Sequence, residues 1–344
     1  MDGDCPLGHG ASQVIMMNRE RDRQFDQRET LRWRKGLLAW YDRNRRDLPW
    51  RNDRDPYRVW ISEIMLQQTR VSAVLEHYHR FLRRFPTVRK LAAARQSSVL
   101  AAWSGLGYYR RARMMHAAAK AIVKRHGGKF PRSIAPLRGL PGIGRYTAAA
   151  IASIVSDEPA AVVDGNVERV LGRVFGAGLA GESLWETAEA LLSRTRPGDF
   201  NQAMMELGAI VCLPRQPRCS VCPVFGLCAT RGHLAQPKKL IGQKRRDVCY
   251  ALDHRNSSIF LVQRPEHASL MPGMWELPEI AANAAEGRVS LTLRHSITVT
   301  DYRVRVMRGP AQSGSEGHWV QKRRVGRLPL TGLARKILRE VEVI

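Results

Sequence analysis

Apolar residues recur at helical spacing through the first two thirds of the chain. Between Asp53 and Pro86 they fall three and four positions apart, which is the pattern of helices with one buried face. The same spacing continues in Thr30–Tyr41, Val99–Trp103, Ala112–Arg125, Ser133–Arg138, Thr147–Val155, Val167–Val174, Trp185–Arg194 and Gln202–Val211. Short connections separate these stretches, so we predict an all-α domain.

The pattern changes after Cys228. Short β-like runs replace the helical spacing, and one helix, Leu333–Val341, closes the chain. The predicted strands are Val248–Leu252, Ser258–Gln263, Arg294–Thr300 and Tyr302–Met307. We therefore predict two domains, a helical one over 28–232 and a small α+β one over 248–344. A flexible basic extension over 1–27 precedes them, and a basic, proline-containing linker over 233–247 joins them.

Composition narrows the range of partners. The chain of 344 residues has 56 Lys and Arg against 31 Asp and Glu, a formal charge of +25. Such a field attracts polyanions, which favours nucleic acid over a solvated basic surface without a partner. No apolar run reaches the length that spans a bilayer, and no secretory signal is visible. We expect a monomer in the cytoplasm or nucleoid, without a membrane partner.

Four of the six cysteines lie in one short segment. Cys212, Cys219, Cys222 and Cys228 follow the pattern C-x6-C-x2-C-x5-C. Clustered cysteines in a chain of this length indicate a metal site in a reducing compartment. Zinc sites usually contain two close C-x2-C pairs, and only one such pair is present here. The wider gaps therefore favour one [4Fe–4S] cluster over zinc.

A glycine turn separates two of the predicted helices, in the segment Leu140-Pro141-Gly142-Ile143-Gly144. Gly142 and Gly144 permit a tight turn and keep side chains away from the backbone. The N–H groups at the start of the next helix then favour an anion. A plain helix–helix connection uses the same residues, but the positive charge of the chain favours a clamp for DNA phosphate.

Two carboxylates carry the candidate chemistry. Glu63 is flanked by Trp60, Ile61 and Ile64, and apolar surroundings raise the pKa of a carboxyl until it can donate a proton near neutral pH. The alternative is a surface glutamate on an amphipathic helix. Asp164 precedes a predicted helix, where it also serves as an N-cap. A neutral acid and an anion together suit cleavage of a glycosidic bond.

The motifs as a set resemble the helix-hairpin-helix, iron–sulfur glycosylases typified by endonuclease III, and most closely the MutY-type adenine DNA glycosylases. The resemblance covers about residues 30–230. It also rests on Leu48-Pro49-Trp50-Arg51, Leu66-Gln67-Gln68-Thr69, Gly105-Leu106-Gly107-Tyr108-Tyr109 and Phe200-Asn201-Gln202-Ala203. It implies an enzyme of base excision repair that flips adenine, mispaired with 8-oxoguanine or guanine, out of double-stranded DNA and hydrolyses its N-glycosidic bond.

The resemblance also implies roles for single residues. Glu63 protonates the base, Asp164 stabilises the sugar cation, and Tyr146 and Asn166 help to position water. Tyr146 stands where the lyases carry a Schiff-base lysine, which implies a monofunctional enzyme. The implied base pocket contains Trp50, Arg51 and Gln202. The implied DNA contacts are Gln67, Gln68, Thr69, Tyr108, Gly142, Gly144 and Thr298.

The α+β part resembles the Nudix-like domain with which such enzymes recognise 8-oxoguanine. The likeness lies in Phe260–Pro265 and Gly273–Pro278. No glutamate-rich metal-binding helix follows, which implies binding rather than hydrolysis. Where the family carries a Phe-Ser-His finger, this chain reads Ser296-Ile297-Thr298 without a following histidine. The resemblance therefore implies that 8-oxoguanine is discriminated more weakly or by other groups.

Other functions stay open. An endonuclease III-like pyrimidine glycosylase with lyase activity is the nearest alternative, and Tyr146 argues against it. A non-catalytic DNA-binding protein on the same scaffold is another alternative. Binding alone needs neither Glu63 nor Asp164, and both carboxylates repel phosphate, which argues against this function. An adenine glycosylase for mismatches in general would accommodate the altered finger.

Overall fold

The computed structural model describes residues 24–176, 178–233, 244–281, 289–297, 300–311 and 316–344. Most of the predicted extension over 1–27 and of the linker over 233–247 lies outside these ranges, as does Thr298. Helices fill the described chain up to Ile210, and the described strands begin at Lys244. The predicted fold class, a helical part followed by an α+β part, is confirmed.

The helices of the first part are short and follow one another closely. They are α1 (Gln27–Asn44), α2 (Pro56–Leu66), α3 (Val71–Arg84), α4 (Val88–Ala92), α5 (Gln96–Trp103), α6 (Tyr109–His126), α7 (Ile134–Arg138), α8 (Arg145–Ser156), α9 (Gly165–Phe175), α10 (Glu182–Leu191) and α11 (Pro197–Ile210). Single 3₁₀ turns lie at Pro49–Arg51, Cys219–Val221 and Phe225–Leu227.

The second part contains strands and two helices. They are β1 (Lys244–Leu252), β2 (His254–Arg255), β3 (Ser258–Gln263), β4 (Trp275–Glu276), β5 (Glu279–Ile280), β6 (Val289–Ile297), β7 (Thr300–Arg308), β8 (His318–Gln321), α12 (Lys322–Val325) and α13 (Gly332–Glu340). None of the described helices combines the length and apolar character that crossing a bilayer requires.

The region predicted as helical between Asp53 and Pro86 consists of two helices, α2 and α3, and Gln68 adopts φ 54° in the turn between them. One prediction of local structure is wrong. The predicted strand Arg294–Thr300 extended too far, since Thr300 begins β7. The apolar pattern continues past Gln68, so periodicity alone does not mark the end of α2.

By its contacts the chain divides into two compact units, of which the first combines Met1–Glu63 with Pro131–Pro237. Its helix α1 begins with a capping box, in which Asp26 accepts from the Glu29 N–H and Glu29 accepts from the Asp26 N–H. The buried face of α1 presents Trp33 and Leu37 to a core shared with α8, α9 and α11. This core holds α8 and α9, which carry the candidate catalytic residues Tyr146 and Asn166.

The second compact unit combines Ile64–Phe130 with Lys238–Ile344. One of its sheets has the strand order β5-β1-β7-β6, in which only β1 and β7 run parallel, and a second contains β2, β3, β4 and β8. Ile337 and Leu338 of α13 belong to one buried apolar cluster with residues of both sheets. The strands and this helix therefore share one apolar core.

Hydrogen bonds tie the helices of the second unit to its C-terminal part. The hydroxyls of Ser104 and Tyr109 donate to the carbonyl oxygen of Leu330 at 2.8 and 3.0 Å. Arg335 Nε donates to Ser104 Oγ at 2.8 Å. The contacts thus group α3–α6 with the strand region, whereas the sequence placed them in the preceding domain. The predicted domain bounds stay a prediction.

Candidate active site and cysteine loop

Glu63 lies in the last part of α2 and is only 6% exposed. The hydroxyl of Tyr146, in the first turn of α8, donates to Glu63 Oε2 at 2.9 Å. The same hydroxyl lies 3.2 Å from Met205 Sδ. The sequence therefore placed Glu63 correctly in apolar surroundings, and the structure brings Tyr146 into direct contact with it.

The surroundings of Glu63 change its protonation. Burial, the largest cause, and the charge of Asp164 raise the pKa of Glu63 from 4.5 to about 7, against the hydrogen bond from Tyr146 and the charge of Arg51, which lower it. Burial also raises the pKa of Tyr146, so its hydroxyl keeps its proton and remains a donor. A large fraction of Glu63 is therefore neutral at pH 7, which suits a proton donor.

Asp164 is the N-cap of α9. Its Oδ1 accepts from the N–H groups of Asn166 and Val167 at 2.9 and 2.8 Å, and Asn166 Nδ2 donates to Oδ2 at 3.0 Å. These donors stand at the positive end of the helix dipole. The predicted cap is thus present, and it holds the carboxylate in one orientation.

Asn166 continues this network towards the cysteine loop. Its Oδ1 accepts from Arg169 Nη2 at 2.8 Å, and Arg169 also donates to the carbonyl oxygens of Gly208 and Cys212 at 2.8 and 2.9 Å. A Cβ on Gly208 would lie 2.6 Å from Asn166 Cβ, so the close packing of α11 on α9 requires glycine there. Sequence reasoning missed Arg169, although it lies one helical turn from Asn166.

The predicted pocket residue Arg51 is held by a buried carboxylate that sequence reasoning also missed. Glu206, 1% exposed, accepts from Arg51 Nη2 at 2.9 Å and from Arg46 Nη2 at 2.7 Å. Burial raises the pKa of Glu206, but the hydrogen bonds from Arg46 and Arg51 outweigh burial and lower it to about 2. The sequence did offer a signal for this buried carboxylate, because Glu206 is a charged residue inside the apolar run 203–207. Trp50 is buried, and Gln202 lies half-buried on α11.

The glycine hairpin has the predicted form. Gly142 adopts φ 74° between α7 and α8, in the left-handed region that favours glycine. Ile143 is 5% exposed, whereas Gly142 and Gly144 are exposed. Gly144 is the N-cap of α8. The turn therefore presents bare backbone at a helix N-terminus, which suits a phosphate.

The other predicted DNA contacts lie in two turns of the second unit. Gln67, Gln68 and Thr69 follow α2, and Gln68 is exposed. Tyr108 precedes α6 and is 50% exposed. Thr298 lies outside the described residues.

The four cysteines line one cavity of about 30 Å³. Each is a free thiol, and Arg173 Nη1 donates to Cys212 Sγ at 3.2 Å. Burial raises the pKa of Cys222 to about 11, and metal binding would remove its proton. In the described parts of the chain, no three His, Cys, Asp or Glu side chains are grouped closely enough to hold a single metal ion. Four thiols around one cavity fit the donor set of an iron–sulfur cluster.

A helix-hairpin-helix turn, a capped aspartate and a four-cysteine loop on one helical scaffold define a DNA-repair class of protein. Residues 61–196 match the family described as HhH-GPD superfamily base excision DNA repair protein. A solved thermostable thymine-DNA glycosylase is similar at 31% identity, with a TM-score of 0.57 over 60% of this chain and 98% of that one. The chain belongs to the HhH-GPD superfamily of base excision DNA repair proteins.

Curated relatives agree with this assignment. The adenine DNA glycosylase of Mus musculus is 46% identical over 246 residues, which is 67% of this chain and 48% of that protein. The adenine DNA glycosylase of Arabidopsis thaliana is 40% identical over 80% of this chain and 51% of that protein. The chain thus spans about half the length of the curated relatives it matches. A solved endonuclease III–DNA complex, 22% identical with a TM-score of 0.52, shares the fold.

Proposed function

We propose that this protein is a monofunctional adenine DNA glycosylase that hydrolyses the N-glycosidic bond of adenine in double-stranded DNA. The observation that carries the proposal is the buried Glu63, with a pKa near 7 and a hydrogen bond from Tyr146. Relatives named adenine DNA glycosylase at 40–48% identity support the choice of base.

Glu63 supplies the proton. In its neutral form it donates to the base nitrogen of the extrahelical adenine, so that the base departs without a full negative charge. Tyr146 keeps the carboxyl in one rotamer through its 2.9 Å hydrogen bond. After the base leaves, the ionised Glu63 accepts a proton from the attacking water.

Asp164 faces the positive charge that develops on the sugar. Two backbone N–H groups and the Asn166 amide hold it in place, so little reorganisation is needed when the bond breaks. Asn166 is itself fixed by Arg169 and, in this proposal, positions the carboxylate as well as water.

Hydrolysis, rather than lyase chemistry, follows from Tyr146. A phenol cannot form an imine with the sugar, so water completes the reaction and the strand stays intact. We propose that Trp50, Arg51 and Gln202 contact the extrahelical base. Arg51 would do so from a position fixed by Glu206.

DNA binding is assigned to the exposed turns. The hairpin at Gly142 and Gly144 binds phosphate, and Gln67, Gln68, Thr69 and Tyr108 contact the gap in the base stack. The charge of +25 adds a salt-dependent attraction to the duplex. We propose 8-oxoguanine or guanine as the opposite base, with Thr298 as the candidate contact.

The thiols of Cys212, Cys219, Cys222 and Cys228 would hold one [4Fe–4S] cluster. When bound, such a cluster supplies a rigid cross-link of the loop that carries Arg215 and Arg218. The purified holoprotein should be brown and contain about four irons per chain. A colourless, active protein with one zinc would contradict this assignment.

The decisive experiment measures single-turnover excision on duplexes that contain A opposite 8-oxoguanine, A opposite G, A opposite C and T opposite G. We expect adenine release from the first two, strands that break only in hot alkali, and little trapping by borohydride. Excision of T alone, or strong borohydride trapping, would reject the proposal in favour of a pyrimidine glycosylase or a lyase.

A further inference from the structure

One guanidinium holds together the two turns assigned to DNA. Arg111, on α6, donates from Nη1 to the carbonyl oxygen of Gln67 and from Nη2 to Thr69 Oγ1 at 3.1 Å. From Nη2 it also donates to the carbonyl oxygens of Leu106 and Gly107 at 3.2 and 3.5 Å. Both turns belong to the second compact unit, and this one side chain connects them.

The turns share an uncommon backbone conformation. Gln68 has φ 54° and Tyr108 has φ 46°, in the left-handed region that residues other than glycine rarely adopt. In each turn the carbonyl directly before the left-handed residue, that of Gln67 or of Gly107, accepts from Arg111. Such strain persists only where the surroundings fix the backbone, and Arg111 fixes both peptides.

The site suits the forked guanidinium of arginine better than the single ammonium group of lysine. The guanidinium also donates to the carbonyl oxygens of Ile64 and Met65 at the C-terminal end of α2, at 2.8 and 3.1 Å. Its Cζ lies 5.4 Å from the ring centroid of Trp103 and 5.3 Å from that of Tyr108. Arginine has a planar fork of five donors, whereas lysine has three donors at one point. Lysine would keep the charge but not the simultaneous contacts.

We propose that Arg111 is a positioning residue for base extrusion, which holds both turns in the shape that lets Gln68 and Tyr108 enter the base stack. This inference rests on the proposed function, because it takes these two side chains as DNA contacts. Arg111 is half-buried beneath the turns and acts through them rather than on the substrate.

The test compares Arg111→Lys and Arg111→Gln with Arg110→Lys in the full-length holoprotein. Arg110 is the preceding residue of α6 and is exposed, so it controls for loss of an arginine at this place in the chain. The first readout is the fluorescence of 2-aminopurine in the mispaired position, which rises when the base leaves the stack. We expect the rise to be largely lost in both Arg111 variants and kept in Arg110→Lys.

The second readout is single-turnover excision of adenine from two substrates. On an A:8-oxoguanine duplex we expect Arg111→Lys to be slower by up to roughly 10²-fold, as for a displaced positioning group. On adenine opposite an abasic site, where unstacking costs less, we expect most of this loss to disappear. A protein that was only less stable would lose rate equally on both substrates.

Three outcomes separate the two claims. Wild-type fluorescence and rates in either folded Arg111 variant would overturn the inference, as would an equal loss on both substrates. Failure of the wild type and of Arg110→Lys to release adenine from any duplex would reject the proposed function instead. The fluorescence comparison needs no chemistry, and it would still decide the role of Arg111 in that case.

Discussion

Among its described residues, the first compact unit buries two glutamates, Glu63 and Glu206, and the surroundings shift their pKa values in opposite directions. Around Glu206, burial raises the pKa, but the charged donors Arg46 and Arg51 lower it to about 2. Around Glu63, the hydrogen-bond donor is the neutral hydroxyl of Tyr146, which lowers the pKa less than burial raises it. The pKa of Glu63 is therefore about 7. The charge of the partner, rather than depth, therefore separates a fixed anion from a proton donor.

The largest effect expected is the loss of catalysis in Glu63→Gln. An amide of similar shape keeps the pocket filled but cannot transfer the proton, so single-turnover excision should fall by about 10²–10⁴-fold or more. Affinity for the mispaired duplex, measured by equilibrium binding, should change little. Near-wild-type excision would remove Glu63 from the mechanism.

Glu206→Gln should instead damage stability. It leaves the guanidinium groups of Arg46 and Arg51 together without an anion, and breaking a buried pair costs about 3 kcal/mol or more. The free energy of unfolding in urea measures this loss. Glu76→Gln is the control, because its ion pair with Arg80 is exposed and spans 3.5 Å, so its loss should cost about 1 kcal/mol or less. Equal effects of the two substitutions would contradict the contrast.

The stability of the wild type should depend on pH through Glu63. Its pKa in the folded protein is about 7 against 4.5 when unfolded, so the folded state keeps a proton that the unfolded state releases between these values. The contribution of Glu63 to the free energy of unfolding is therefore fully present below pH 4.5 and is lost as the pH rises through 7.

Because the wild type loses stability at high pH through Glu63, we expect Glu63→Gln to be more stable there. At pH 8, Glu63→Gln should be more stable than the wild type by about 3 kcal/mol, and the difference should vanish near pH 4.5. Urea unfolding at several pH values measures it. A difference that does not change with pH would mean that Glu63 titrates normally.

Tyr146→Phe should have the smallest effect. It removes a hydrogen bond that lowers the pKa of Glu63, so the decline of kcat/KM at high pH should move to higher pH. One lost hydrogen bond is worth about 0.5–1.5 kcal/mol, or roughly two- to tenfold in rate. The pH profiles of both proteins test this shift, and a move to lower pH would contradict it.

The features that were predictable from the sequence are local. The apolar neighbours of Glu63, the cap at Asp164 and the hairpin at Gly142 each depend on residues a few positions apart, and the structure has all three. Local spacing also predicted the helices, although it missed the turn at Gln68.

The features that were not predictable depend on distant parts of the chain. Arg51 and Glu206 are 155 positions apart, and Arg111 contacts carbonyl groups up to 47 positions away. Backbone carbonyls carry no sequence signal, so nothing in the chain marks them as partners of Arg111. The grouping of α3–α6 with the C-terminal strands likewise arises from packing that periodicity does not encode.

The most direct test of the central claim is a titration of the glutamate side chains by NMR, with carbon-13 at the carboxyl position. The resonance that disappears in Glu63→Gln should titrate near pH 7, and the one that disappears in Glu206→Gln should stay that of an anion down to about pH 3. A Glu63 resonance that titrates below pH 5 would contradict the account, because the carboxyl would then hold no proton to donate to the base at neutral pH.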